Sequence, residues 1–180
     1  MPITPDDKNW TWVLERPCPE CGFNASTYPT EDIATFLRAN AALWSMLLAA
    51  PASDLRRRRS DGRWSPLEYA CHVRDVFVLF HERLTLMLTQ DDPTYPNWDQ
   101  DRTAVEERYN DQDPLLVSVQ LQTAAGVLAD TFTGITGATW NRTGRRSDGA
   151  HFTITEFGRY LVHDPVHHVR DVRQDLPGLI

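Results

Sequence analysis

Trp64-Ser65-Pro66-Leu67-Glu68-Tyr69-Ala70-Cys71-His72-Val73 holds a full set of signals for starting a helix. Ser65 can accept a bond from the backbone N–H three residues on. Pro66 suits the first turn, where its missing N–H costs nothing, and Glu68 can reach back to the Ser65 N–H to close a capping box. Tyr69, Val73, Val76, Phe77, Phe80, Leu84, Met87 and Leu88 then recur at helical spacing and mark an apolar face. The spacing predicts a helix to about Gln90, ahead of Asp91-Asp92-Pro93. His72 lies on the edge of that face, between Tyr69 and Val76, so it points inward or nearly so.

The same logic extends in both directions. Upstream, Thr30 as cap and Glu31 and Asp32 at the positive end of the dipole predict a helix from about Glu31 to Ala50, stopped by Pro51. Its stripe is Ile33, Phe36, Leu37, Ala41, Trp44, Leu47 and Leu48. Downstream, a third helix begins near Asp113-Pro114, with Val117, Leu121, Ala124, Leu128, Phe132 and Ile135 on its buried face. Residues 141–151 carry Gly144, Gly149 and three arginines and read as a loop or short extended excursion. A second capping box, Thr153-Ile154-Thr155-Glu156, opens a fourth helix that runs toward Gln174 and ends before Pro177-Gly178. Four long amphipathic segments predict an all-α four-helix bundle over residues 29–180. Residues 1–28, rich in Pro, Trp and Cys, predict an irregular arm docked by Trp10 and Trp12.

With 41% hydrophobic and 24% charged residues, neither a disordered chain nor a membrane protein is expected. Residues 41–50, the longest apolar stretch, are too short to span a bilayer. Met1 to Lys8 lack the basic-then-apolar order of a secretion signal, which predicts a cytoplasmic protein. The net charge of −7 disfavours nucleic acid. The one basic run, Arg56-Arg57-Arg58-Arg59, reads as a solvated loop. A small-molecule substrate is the expected partner, and a homodimer is compatible with the composition.

Cys18-Pro19-Glu20-Cys21-Gly22 has the spacing of half a zinc knuckle. Plain thiols in a turn, a metal knuckle completed from elsewhere in the chain, and redox chemistry all remain open readings. No helical phase ties this arm to the histidines, so it is not expected to serve a metal in the helical body.

His163 and His167 are four apart, so on a helix they stack one turn apart and can reach one ion. With His72 from the second helix they give three nitrogen ligands to a divalent metal and leave positions open, as in catalytic sites. Three imidazoles suit zinc, nickel, iron or copper. Asp75 and Asp171 stand three and four residues beyond His72 and His167, placed to fix their tautomers. Pro165 lies between the paired histidines and costs about 3 kcal/mol or more inside a helix. Either one long helix bends at residues 161–165, or Asp164-Pro165 starts a new one.

The 64–73 segment resembles the second-helix signature of the DinB-like superfamily, which includes YfiT-like metal-dependent hydrolases. Tyr160-Leu161-Val162-His163-Asp164-Pro165-Val166-His167-His168 resembles its final metal-binding helix. The resemblance spans roughly residues 30–175. It implies a four-helix bundle whose histidine triad, carried over as His72, His163 and His167, holds zinc, nickel or iron. His168 competes for the last place. Val169-Arg170-Asp171 departs from the Gly-Gln pair that many members carry there. The resemblance implies a thiol S-transferase using a low-molecular-weight thiol such as mycothiol or bacillithiol. Arg142, Arg145 or Arg146 would then hold an anionic group, unless they belong to a solvated loop. The alternatives are a metal-dependent hydrolase, with Asp164 or His168 carrying protons, and a non-catalytic metal-binding module.

Overall fold

Both capping boxes form. In the computed structural model, which describes residues 9–176, Ser65 Oγ accepts from the Glu68 N–H at 3.2 Å and Glu68 Oε2 accepts from the Ser65 N–H at 2.8 Å. Thr153 and Glu156 repeat the arrangement. The residues 1–8 read for a secretion signal and Pro177-Gly178 lie outside the described residues.

Among the described residues six α-helices follow in order: α1 Ile33–Leu47, α2 Ala52–Leu55, α3 Pro66–Thr89, α4 Gln100–Glu106, α5 Pro114–Thr133 and α6 Ile154–Asp175. The long ones, α1, α3, α5 and α6, make the bundle. α1 packs on α5 and α6, and α3 also packs on α5 and α6, so helices consecutive among the four sit diagonally where α1 precedes α3. Trp44, Phe77, Leu121, Leu128, Phe157 and Leu161 fill the interior. Thr30 does not cap α1; it opens a 3-10 turn over Thr30–Asp32 that feeds the helix. By length and composition α5 could cross a membrane. Here Val117, Leu121, Leu128 and Phe132 bury its inner face in the bundle.

The excursion after α5 is ordered. β1 (Thr94–Tyr95) pairs parallel with β2 (Thr143–Arg146), and β2 pairs antiparallel with β3 (His151–Thr153), with Gly144 opposite Phe152. A Cβ on Gly144 would fall 2.7 Å from Met87 Cγ, so glycine lets this sheet lie on α3.

The arginine run is not a solvated loop. Arg56 donates to the Asn110 and Gln112 carbonyls, Arg58 pairs with buried Glu68, and Arg59 donates to the Gln174 carbonyl. Arg57 and Arg59 keep exposed side chains, and Arg57 lies beside Asp54. These cations fasten the α2–α3 connection to the segment before α5 and to the end of α6.

Candidate metal centre

α6 continues as one helix through Pro165, so the reading in which a new helix starts there is set aside. Its buried apolar stripe is Ile154, Phe157, Leu161, Val162, Pro165, Val169 and Val172. At roughly 100° per residue, Asp164 and His168 flank this stripe, whereas His163 and His167 fall roughly 160° from its centre. The helix therefore carries two donor pairs, one grouped with His72 and one with the arm, and all four side chains line one cleft.

On the α3 side, His72, Asp164 and His168 place one donor atom each within 4.8 Å of one another. His72 Nε2 is 3.3 Å from Asp164 Oδ2, and His168 Nε2 is 3.7 Å from the same oxygen. Trp98 stacks on the His72 ring at 5.3 Å and 6°, and Trp64 lies 5.0 Å away, so the imidazole has little rotational freedom. Burial pulls the His168 pKa down, but the carboxylates of Asp164 and Asp171 outweigh it and hold the imidazolium up to about 9. Burial raises Asp164, yet His72 and His168 prevail and keep its carboxyl well below the usual range. Asp164 Oδ1 is buried without a hydrogen-bond partner, as is His72 Nδ1.

On the other side, the arm reaches α6. Cys18 Sγ is 3.6 Å from His167 Nδ1 and Cys21 Sγ is 3.7 Å from His163 Nε2. Burial, with the Cys18 thiol beside it, pushes the Cys21 thiol up to about 11, and burial lowers His163 to about 4. Trp10 docks as expected, with its ring 5.6 Å from His163 and 5.2 Å from His167; Trp12 lies 6.5 Å from His163.

The expected triad is thus divided. Among the described residues His72 gathers with Asp164 and His168, not with His163 and His167, because the apolar stripe of α6 turns the latter pair away from α3. Asp164 and His168, expected as proton carriers, lie instead with His72 in a group that could hold a metal ion. Asp75 does not orient His72; it is taken by Tyr109 and Arg74. Asp171 lies 3.7 Å from His167 Nε2, too far for the hydrogen bond its spacing suggested, and 3.5 Å from His168 Nδ1.

Of the three arginines expected to hold an anion, Arg142 donates to the Met87 and Gln90 carbonyls at the end of α3, and Arg145 pairs with Asp92. Neither lines a cleft at the site, because these partners draw their side chains to the α3 terminus. Arg146, held by Asp148 and Tyr160, does line one. Two clefts meet at the His72–Asp164–His168 group. One, about 460 Å³, runs past Arg63, Tyr69, His168 and Arg170; the other, about 570 Å³, runs past His72, Phe80, Arg83, Trp98 and Arg146. They share Trp10, Gln100, Asp101, Tyr160 and Asp164 as walls. Burial raises the Tyr160 phenol above its ordinary pKa, so it stays a neutral donor facing both.

Fold and site define an all-α bundle that brings a His–Asp–His group to the meeting point of two clefts. The chain belongs to the DinB superfamily, whose pattern matches residues 35–172. Its fold is similar to that of YfiT from Bacillus subtilis, described as a probable metal-dependent hydrolase with an unusual four-helix bundle topology. The TM-score is 0.64 at 17% identity, over 97% of this chain and 93% of that one. No curated protein matches the chain. The family match begins beyond the arm, and so does not account for Cys18 and Cys21.

Proposed function

We propose that this protein is a metal-dependent enzyme of thiol S-transferase type, with His72, Asp164 and His168 holding one divalent ion. Two imidazoles and one carboxylate are a donor set suited to zinc, iron or nickel with positions left open. The buried, unpartnered Asp164 Oδ1 supports the fit, since a carboxylate oxygen in that state calls for a cation. When bound, such an ion supplies Lewis acidity that favours a thiolate at neutral pH.

The observation that carries transfer over hydrolysis is the pair of clefts. A reaction between two molecules needs room for both, and here two spaces of several hundred Å³ converge on one group. Arg146 and Arg83 line the larger space and would hold a carboxylate or other anion among Phe80, Trp98 and Tyr160. Tyr160 would donate a hydrogen bond at the junction, and Trp64 and Trp98 keep His72 in place. Hydrolysis by the same group is the second reading, favoured by the description attached to YfiT.

Untagged protein, analysed for metal and then offered small electrophiles with and without cysteine, glutathione, bacillithiol and mycothiol, separates the readings. Thiol-dependent loss of electrophile that disappears in His72→Ala supports transfer. Thiol-independent cleavage of esters or amides would replace it with hydrolysis. Neither activity in metal-loaded protein would leave a non-catalytic binding module.

A further inference from the structure

We infer that Cys18, Cys21, His163 and His167 form a second, closed metal site, taking one zinc-like ion that clasps the N-terminal arm to α6. The four donor atoms lie within 4.8 Å of one another. Zinc bonds of about 2.3 Å to sulfur and 2.0–2.1 Å to nitrogen, arranged tetrahedrally, require sulfur–nitrogen edges of about 3.6 Å. Two independent edges measure 3.6 and 3.7 Å. The donors converge from segments some 140 residues apart, which local turn geometry alone would not bring together.

The arm is built as a knuckle. The Cys18 N–H donates to the Phe23 carbonyl at 2.9 Å and the Gly22 N–H donates to the Cys18 carbonyl at 2.8 Å. Gly22 turns at φ +74°, a conformation that glycine adopts without strain. Charge also balances, since two thiolates neutralise a divalent ion in a place where Cys18, His163 and His167 are buried. Carboxylates of Glu20 and Asp171 stand 3.6 and 3.7 Å from His167 Nε2, the nitrogen facing away from Cys18, where they would orient the ring. Four protein donors leave no place for substrate, so the site is structural. Its work would be to hold Trp10, which packs on both imidazoles and walls both clefts.

The site uses none of the His72–Asp164–His168 donors and stands whether or not that group is catalytic. Its test is cobalt(II) added to reduced, metal-stripped, full-length protein purified without a His-tag. One equivalent should produce thiolate-to-cobalt charge-transfer absorption and the visible bands of tetrahedral cobalt, both erased by zinc. Cys18→Ser/Cys21→Ser should abolish the charge-transfer bands and lower bound zinc by one equivalent. His72→Ala and Cys71→Ser should keep the bands at full intensity. The wild-type spectrum decides the matter even if the double variant does not fold. Absence of the bands from wild type with free thiols, their survival in the double variant, or a Cys18–Cys21 disulfide in reduced protein would overturn the assignment.

Discussion

A metal at His72, Asp164 and His168 must compete with a proton. Only the neutral imidazole binds a cation, and Asp164 with Asp171 holds the His168 imidazolium up to about 9, against an ordinary value of 6.5. At pH 7, two units lower, about one molecule in a hundred carries the neutral ring. Apparent metal affinity should therefore rise about tenfold per pH unit from pH 7 and level off near pH 9. The total gain is about 100-fold, or about 3 kcal/mol. The sign follows from the direction of the shift, because a raised pKa extends the protonated range upward. Groups facing His168 include Asp164, Asp171, His72 and Tyr69, so the rise belongs to this cluster and not to bulk ionisation. The assay is calorimetric titration with nickel(II) between pH 6 and 9.5 in the Cys18→Ser/Cys21→Ser protein, so that one group of donors is read. Buffers of different ionisation enthalpy count the protons released. One proton should leave per metal near pH 7, falling toward zero above pH 9. Affinity that is flat above pH 6.5, as an unperturbed histidine would give, refutes the reasoning.

Other perturbations have smaller reach. Arg58→Ala leaves the nearly buried Glu68 carboxylate without its cation and should cost about 2–3 kcal/mol in urea unfolding; a change below about 0.5 kcal/mol would show the pair to be idle. Thr153→Ala removes the α6 cap and should cost about 1 kcal/mol by the same measurement. His81→Ala and His151→Ala belong to neither donor group, so elemental analysis should find metal content unchanged in both.

The helix starts at Ser65 and Thr153 were legible in sequence because a capping box is local: its partners lie three residues apart and need no tertiary information. The bundle followed from the stripes those starts introduced. Spacing of four also correctly placed His163 and His167 on one face of a helix. It could not by itself choose between 163/167 and 164/168, since both pairs have that spacing. The choice belongs to the rotation of α6, set by Ile154, Phe157, Leu161, Val162, Pro165, Val169 and Val172 seeking the core. Drawing that stripe first would have turned His163 and His167 outward and marked Asp164 as the better companion of His72. The cysteines offered no comparable signal, for their partners lie 142 and 149 residues away and no local period connects them. Arg56, Arg58 and Arg59 failed to reveal themselves for the same reason: a run of cations looks solvated until its distant carbonyls and carboxylates are known.

Asp171 carries one more consequence. The same oxygen, Oδ2, lies 3.7 Å from His167 and 3.5 Å from His168, one ring in each donor group. A single oxygen cannot strengthen its hold on both imidazoles without dividing its charge between them. Were both ions bound, each site would draw on a shared acceptor, so occupancy of one would change the affinity of the other by a common factor, equal in both directions by thermodynamic linkage. The α6 helix would thus join an architectural ion and a chemical one in a single binding equilibrium, and a zinc that fastened the arm would become a variable in the chemistry of the neighbouring group.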